Sequence, residues 1–229
     1  MQYRKFSNLG WEISEIGLGC WAIGSEWGEV SEHDARDVLK TSLDKGINFF
    51  DTADVYGDGR SEKFVGELIR STSEKIFVTT KSGRRLNPHT GDGYNLKNIE
   101  KFIDRSLINL GIDCIDLLQL HCPPTEICPK KETYEMMDEI VKKGKIAYYG
   151  VSVEKVSEAM DAIQFPNVKS IQIIFNIFRQ KPAEIFFKEA AKKNVGIIVR
   201  VPLASGLLTG KMNQKSKFPE NDHRNYNIN

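Results

Sequence analysis

Cysteine is scarce in this 229-residue chain, and its spacing argues against two classes of protein. The four cysteines include no C-x-x-C pair, and so few thiols in so long a chain do not indicate a disulfide framework. His121, Cys122 and Cys128 have the residue types of metal ligands, but they lack the second pair of ligands that a structural zinc site needs. We therefore expect reduced, mostly buried thiols and no metal site.

An excess of charge and a long apolar run are also missing. The 32 Lys and Arg residues nearly balance the 31 Asp and Glu residues, and a net charge of +1 gives no field that attracts nucleic acid or an anionic membrane. No stretch has the length of a membrane span, and the first residues lack the apolar region of a signal peptide. We expect a cytoplasmic protein without nucleic-acid or membrane partners. No linker divides it, so residues 1–229 should form one domain.

What the chain does have is a regular alternation of short apolar runs and longer amphipathic segments. After a hairpin-like opening, the apolar runs predict seven strands, at 16–20, 47–50, 76–80, 115–120, 146–151, 170–174 and 196–201. Helices are predicted between them, at 31–45, 61–70, 96–110, 131–143, 155–163 and 182–193, and Ser31 and Ser61 are the expected N-caps of the first two. This alternation is typical of an α/β fold with a parallel sheet, either an eight-stranded barrel or an open doubly wound sheet.

One glycine motif in the first strand imitates a dinucleotide-binding fingerprint. Residues 17–22 fit the pattern G-x-G-x-x-G/A and follow apolar residues. That pattern has physical meaning only where a helix begins at once and points its N-terminus at a pyrophosphate. Here residues 23–28 read as a loop, and the helix begins only near Ser31. We therefore reject the motif as a cofactor site.

Polar side chains end five of the predicted strands. They are Asp51, Lys81, His121, Ser152 and Arg200. Each alone has a structural explanation, such as a turn cap or a solvated strand end. In a parallel barrel, however, the carboxyl ends of all strands open onto one face, which is where barrel active sites lie. Five such residues at equivalent positions predict a site at that face.

The chemistry of these residues suits protonation of an oxygen. Tyr56 follows Asp51 by five residues, and its hydroxyl, with an ordinary pKa of about 10, needs help to act as an acid at neutral pH. A neighbouring ammonium such as that of Lys81 stabilises the phenolate and lowers this pKa. His121 can donate a hydrogen bond to a carbonyl oxygen. No side chain can supply hydride, so a cofactor must supply it.

At these residues the sequence closely resembles the aldo-keto reductases. Segments 51–57, 78–81 and 118–121 match the catalytic tetrad of that family and its surroundings, and segments 150–152, 172–176 and 202–211 match its cofactor-side motifs. The resemblance covers the whole chain. It implies a (β/α)₈ TIM barrel that reduces aldehydes or ketones to alcohols with hydride from NAD(P)H, and it favours NADP(H) over NAD(H). The partner would be a small carbonyl compound.

The resemblance also implies a role for each matched residue. Tyr56 would be the general acid, Lys81 and Asp51 would tune it, and His121 would orient the carbonyl. Ser152 and Gln172 would hold the nicotinamide carboxamide. The full set of expected cofactor contacts is Ser152, Gln172, Arg200, Val201, Leu203 and Ser205. Trp21 matches an aromatic residue of the substrate loop, although a tryptophan at a strand end is equally typical of a core.

Two departures from the family pattern bear on the cofactor. Val153 stands where many members have an Asn after the Ser, which removes one contact to the carboxamide. The eighth strand and the segment after it, which grip the adenosine and any 2′-phosphate, have no counterpart, so we expect a barrel that lacks its eighth strand. The family barrel is typically about 250 residues long.

Two other functions remain open at this stage. One is a nicotinamide-binding regulatory subunit of a larger complex that retains the tetrad. The other is a metal-free barrel lyase or isomerase, which would bind no nicotinamide. The sequence specifies neither the substrate nor whether the protein is a monomer or a homo-oligomer.

Overall fold

The structure is a computed structural model that describes residues 1–24, 28–218, 220, 222 and 224–225. A hairpin of β1 (Tyr3–Phe6) and β2 (Trp11–Ser14) comes first. Seven further strands follow, each parallel to its neighbour: β3 (Leu18–Gly19), β4 (Phe49–Asp51), β5 (Phe77–Ser82), β6 (Ile115–His121), β7 (Ile146–Ser152), β8 (Val168–Ile174) and β9 (Gly196–Arg200).

The order of strands in the sheet decides between the two predicted architectures. The sheet runs β3-β4-β5-β6-β7-β8-β9, so every strand lies beside the next one in the chain. A doubly wound sheet reverses its strand order at a switch point, and this sheet does not. The winding is that of a barrel, and the seven predicted strands are confirmed. Within the described residues, no eighth parallel strand joins β3 to β9.

Helices separate the parallel strands. They are α1 (Glu32–Asp44), α2 (Arg60–Ser71), α3 (Leu96–Leu110), α4 (Lys131–Lys142), α5 (Val156–Ala162), α6 (Lys181–Glu184) and α7 (Phe186–Lys192). The Ser31 cap is confirmed, because its hydroxyl accepts the Asp34 amide hydrogen. The Ser61 cap was wrong, because α2 already begins at Arg60, after a left-handed Gly59.

The predicted helix 182–193 is two helices rather than one. The chain leaves helical geometry at Ile185, with φ −129° and ψ −52°, and α7 then begins at Phe186. Phe186 is fully buried, whereas Ile185 is exposed. The apolar spacing of the segment does not reveal this break.

The hairpin closes one end of the sheet. Its Phe6 and Ile13 form a small apolar cluster with Phe49, Phe77 and Leu117, which lie at or near the amino ends of β4, β5 and β6. The main core fills the space between the sheet and the helices. Because the hairpin covers the amino ends, the carboxyl ends remain available for a site. Of the helices that the structure describes, none is long and apolar enough to cross a membrane.

Candidate active site

The register of the sheet brings the predicted strand-end residues to one edge. His121 lies opposite Ser152, and Ser152 lies opposite Gln172 on the next strand. Arg200 ends β9 opposite Ile174, the last residue of β8. Lys81 and Asp51 complete the row on β5 and β4, where direct contacts join them. The predicted convergence on one face is therefore confirmed.

Lys81 makes the central contacts at this edge of the sheet. It is only 1% exposed, yet its Nζ donates to Asp51 Oδ2 at 2.8 Å and to the Thr52 carbonyl oxygen at 2.8 Å. The same ammonium lies 3.3 Å from the Tyr56 hydroxyl oxygen. An ammonium has three donors, and these contacts use all of them. A buried charge is stable only with such partners, so Lys81 fixes Tyr56 and Asp51 around itself.

Left-handed backbone presents Tyr56 at the edge. Tyr56 opens a tight turn in which Gly57, Asp58 and Gly59 have φ of 58°, 53° and 91°. A Cβ on Gly57 would lie 2.4 Å from the Gly24 carbonyl oxygen, so both the conformation and the space require glycine. The fold therefore requires a glycine directly after Tyr56 for steric reasons.

Two rings flank the Tyr56 ring. Trp21 stacks on it with ring centres 5.9 Å apart, and the His121 ring meets it edge-on, also at 5.9 Å. Trp21 is half-buried and lies next to Tyr56 rather than inside the main core. The position of Trp21 therefore suits a residue that contacts substrate.

The protonation states differ in one respect from the sequence-based expectation. Burial raises the pKa of Tyr56, and the Lys81 ammonium lowers it by less, so the pKa lies above its ordinary value. Burial lowers the pKa of Lys81, but Asp51 and Tyr56 together outweigh burial, and this pKa is also raised. The predicted influence of Lys81 has the expected sign, but desolvation outweighs it. At neutral pH the hydroxyl keeps its proton and the ammonium keeps its charge.

His121 is a neutral imidazole at this edge. Burial first, and then the cations Lys81, Arg84 and Arg200, hold the pKa of His121 well below its ordinary value. Its Nδ1 is buried and has no hydrogen-bond partner among the described residues. A neutral ring has one donor and one acceptor nitrogen, so His121 can donate to an oxygen without carrying charge.

On the other side of Asp51, hydrogen bonds continue to the residues expected to hold a cofactor. Gln172 Nε2 donates to Asp51 Oδ1 at 3.0 Å, and the Ser152 hydroxyl donates to Gln172 Oε1 at 3.1 Å. Arg200 donates to the Val153 carbonyl oxygen at 3.3 Å, while its Nε is buried without a partner among the described residues. These amide, hydroxyl and guanidinium groups are suited to a polar heterocycle.

The loop after β9 has an unusual backbone. Val201, Ala204 and Ser205 have φ of 57°, 48° and 56°, and Gly206 has 96°. A left-handed conformation is rare for a β-branched residue, and such conformations concentrate at ligand-binding sites. Successive amides in turns of this kind can form a concave surface for an anion. Asn176 Nδ2 donates to the Val201 carbonyl oxygen at 3.0 Å, and Leu203 is exposed.

Sequence reasoning missed a second cluster beneath the Tyr56 turn. Arg85 and Arg105 both donate to the Asp54 carbonyl oxygen, at 3.1 and 3.3 Å, and both pair with the Asp58 carboxylate. The Asp54 carboxyl is buried without a hydrogen-bond partner among the described residues. Burial and then the Glu62 carboxylate raise the pKa of Asp54 to about 7. Nothing in the local sequence distinguishes Asp54 from an exposed turn residue.

The remaining sequence hypotheses concern metals and the glycine motif. Within residues 1–24 and 28–218 and the few described positions beyond, no three His, Cys, Asp or Glu side chains are grouped to hold a metal ion. Only a single 3₁₀ turn at Ala22–Gly24 follows β3, and among the described residues the first α-helix, α1, begins at Glu32. Residues 25–27 of the predicted loop lie outside the described residues.

Comparison with known proteins gives the family. A model of the aldo/keto reductase family matches residues 15–229. The holo structure of the aldo-keto reductase AKR11C1 from Bacillus halodurans is 31% identical, with a TM-score of 0.80, and the match covers 96% of this chain and 71% of that one. The barrel-type sheet and its edge of Asp, Tyr, Lys and His agree with this match, which is to a family of oxidoreductases. The chain belongs to the aldo-keto reductase family.

Two sequence relatives have names that bear on function. An aldo-keto reductase of Schizosaccharomyces pombe, whose name specifies NADP(+), is 34% identical over 93% of this chain and 64% of its own length. A protein of Arabidopsis thaliana named a probable voltage-gated potassium channel subunit beta is 30% identical over 98% of this chain and 72% of its own length.

Proposed function

We propose that this protein reduces aldehydes or ketones to alcohols with hydride from NADPH, and that Tyr56 is the general acid. The observation that carries the proposal is the buried Lys81 ammonium, which contacts both the Tyr56 hydroxyl and the Asp51 carboxylate beside a neutral His121. Family membership supports the reaction class. The name of the fission-yeast relative supports NADP(H) over NAD(H).

The residues on the other side of Asp51 fit the nicotinamide cofactor. Ser152 and Gln172 would hold its carboxamide, since they carry a hydroxyl and an amide within one hydrogen-bonded row. Arg200 has a buried Nε without a partner among the described residues, and its planar guanidinium can stack on the nicotinamide ring. Val201, Leu203 and Ser205 belong to the left-handed loop that would receive the pyrophosphate.

The reaction then divides between the two sides. When bound, NADPH supplies a hydride to the carbonyl carbon. The carbonyl oxygen accepts hydrogen bonds from Tyr56 and His121, and it takes the Tyr56 proton as its negative charge develops. The Lys81 ammonium stabilises the phenolate that remains until solvent returns the proton. One aldehyde, one NADPH and one proton thus give one alcohol and one NADP⁺.

The test is Tyr56→Phe in the full-length gene product. NADPH oxidation with an aldehyde panel should fall by about 10²- to 10⁴-fold, the usual contribution of a general acid. NADPH binding, measured by fluorescence titration, should stay nearly the same because the hydroxyl serves the transition state. Tyr3→Phe is the matched control, since Tyr3 is exposed on the distant hairpin. A Tyr56→Phe enzyme with most of its kcat would contradict the assignment.

A second candidate function is a cofactor-binding regulatory subunit, favoured by the similarity to the Arabidopsis protein. It predicts NADPH binding, negligible turnover of simple aldehydes and co-purification with an integral membrane complex. A lyase or isomerase would instead bind no NADPH at all. Fluorescence titration followed by turnover measurements separates the three functions.

A further inference from the structure

Two consecutive arginines follow β5, and they have different surroundings. Arg85 lies 2.7 Å from Asp58 Oδ1 and donates to the Asp54 carbonyl oxygen, so its charge is paired beneath the Tyr56 turn. Arg84 is exposed and makes no hydrogen bond or ion pair with any residue that the structure describes. The structural role of Arg85 therefore does not extend to Arg84.

The position of Arg84 places it at the mouth of the site. It follows Lys81 by three residues and comes directly after Gly83, whose φ is +114° and whose Cβ position would lie 2.7 Å from the Tyr94 hydroxyl oxygen. The Tyr94 hydroxyl in turn hydrogen-bonds to His89 Nε2 at 2.9 Å, so residues within this loop contact one another. Arg84 lies two residues beyond Ser82, the last residue of β5, at the same strand end from which Lys81 contacts Tyr56. Its charge also lowers the pKa values of His121 and His89.

Three cations lower the pKa of His121, and two of them have other partners or positions in the site. Lys81, Arg84 and Arg200 are the cations that act on His121, and Asp51 is the carboxylate that acts on Tyr56. Asp51 already binds Lys81 and Gln172. Arg200 lies on the cofactor side, where the proposed pyrophosphate site follows it. Of these cations, Arg84 remains for the substrate.

Resting on the proposed reductase function, we propose that Arg84 recognises an anionic group of the substrate, so that the preferred substrates are aldehydes or ketones carrying a carboxylate or a phosphate. A guanidinium binds either oxyanion through two parallel hydrogen bonds. Different groups would then bind the two ends of the substrate. Arg84 binds the anion, while the uncharged donors face the carbonyl oxygen.

The experiment compares matched substrates in the full-length gene product. Succinic semialdehyde is compared with butanal, and glyceraldehyde 3-phosphate with glyceraldehyde, by NADPH oxidation. The ratio of kcat/KM for the anionic over the neutral member should exceed one and should fall about 10- to 100-fold in Arg84→Met, as expected for a charged hydrogen bond. Arg84→Lys should recover part of the ratio. Lys97→Met, an exposed cation on α3, should leave it unchanged.

The outcomes separate this inference from the reductase function. If neutral aldehydes are reduced and the ratio is one, or if Arg84→Met leaves the ratio unchanged, Arg84 has no such role and the reductase function stands. A preference for either anion that depends on Arg84 supports the inference and identifies the anion. If no carbonyl compound is reduced, the function fails, and calorimetric titration with succinate and with butyramide still tests Arg84. Equal affinities there would overturn the inference, and a succinate preference lost in Arg84→Met would support it.

Discussion

Replacing Lys81 by Met tests the centre of the site most directly. The substitution keeps a long side chain but removes the three contacts of Nζ, so it leaves Asp51 Oδ2 and the Thr52 carbonyl without their donor. Removing one partner of a buried ion pair costs about 3–5 kcal/mol. Asp51 is 17% exposed and keeps its Gln172 hydrogen bond, so we expect the lower end, about 3 kcal/mol.

The same substitution should impair catalysis for a separate reason. Lys81 is the main group that lowers the pKa of Tyr56, so its loss lets burial raise that pKa further and makes Tyr56 a weaker acid. We expect kcat to fall by about 10²-fold or more and the basic limb of the pH–rate profile to shift upward. Urea unfolding gives the stability change, and NADPH oxidation across pH gives the profile.

A double variant distinguishes the two effects. Lys81→Met with Asp51→Asn removes the unpaired carboxylate, so it should regain much of the lost unfolding free energy but none of the activity. Lys101→Met, an exposed cation on α3, controls for loss of a positive charge. An unchanged pH–rate profile in Lys81→Met would refute the coupling between Lys81 and Tyr56. Unchanged stability would refute the account of the buried pair.

Two further predictions concern the surroundings of Tyr56. Because the pKa of Asp54 is raised to about 7 in the folded state, folding binds a proton there, and stability is expected to fall as pH rises from about 4 to about 7. Asp54→Asn should remove this dependence, whose size is up to about 4 kcal/mol, and urea unfolding at pH 5 and pH 8 measures it; equal slopes in both proteins would contradict it. Gly57→Ala should cost more than about 3 kcal/mol and most activity, because its Cβ would meet the Gly24 carbonyl oxygen at 2.4 Å. Gly144→Ala has a similar φ of 75° but open space, so it should cost only about 1 kcal/mol, and equal losses in the two variants would refute the steric argument.

The features that the sequence predicts well are those set by local periodicity. Each parallel strand is an apolar run of a few residues, and five of the seven end at or next to a polar residue such as Lys81 or His121. Because barrel topology places all these ends on one face, the positions of the site residues follow once the fold class is known. The roles assigned to those residues remain predictions that the proposed experiments test.

The features that the sequence does not predict depend on contacts between distant segments. Ser61 has the residue type of a cap, but its hydroxyl bonds to the Cys20 carbonyl oxygen 41 residues away. The net pKa shift of Tyr56 depends on how deeply the ring is buried, which no local pattern gives. Arg105 reaches the Asp58 carboxylate across 47 residues of sequence. In each case the decisive contact or burial is supplied only by the tertiary fold.

Asp51 joins the two sides of the site through one carboxylate. Its Oδ2 accepts from Lys81, which holds Tyr56, and its Oδ1 accepts from Gln172, which holds Ser152. Rotation of this carboxylate cannot improve one contact without disturbing the other, because both oxygens are committed. Tyr56 and the proposed cofactor side are therefore positioned by the same group, although β4 and β8 are separated by three strands in the sheet. A turn cap would explain Asp51 at the end of the short strand β4 from the local backbone alone. Its two long-range hydrogen bonds give a different reason for a carboxylate at this position.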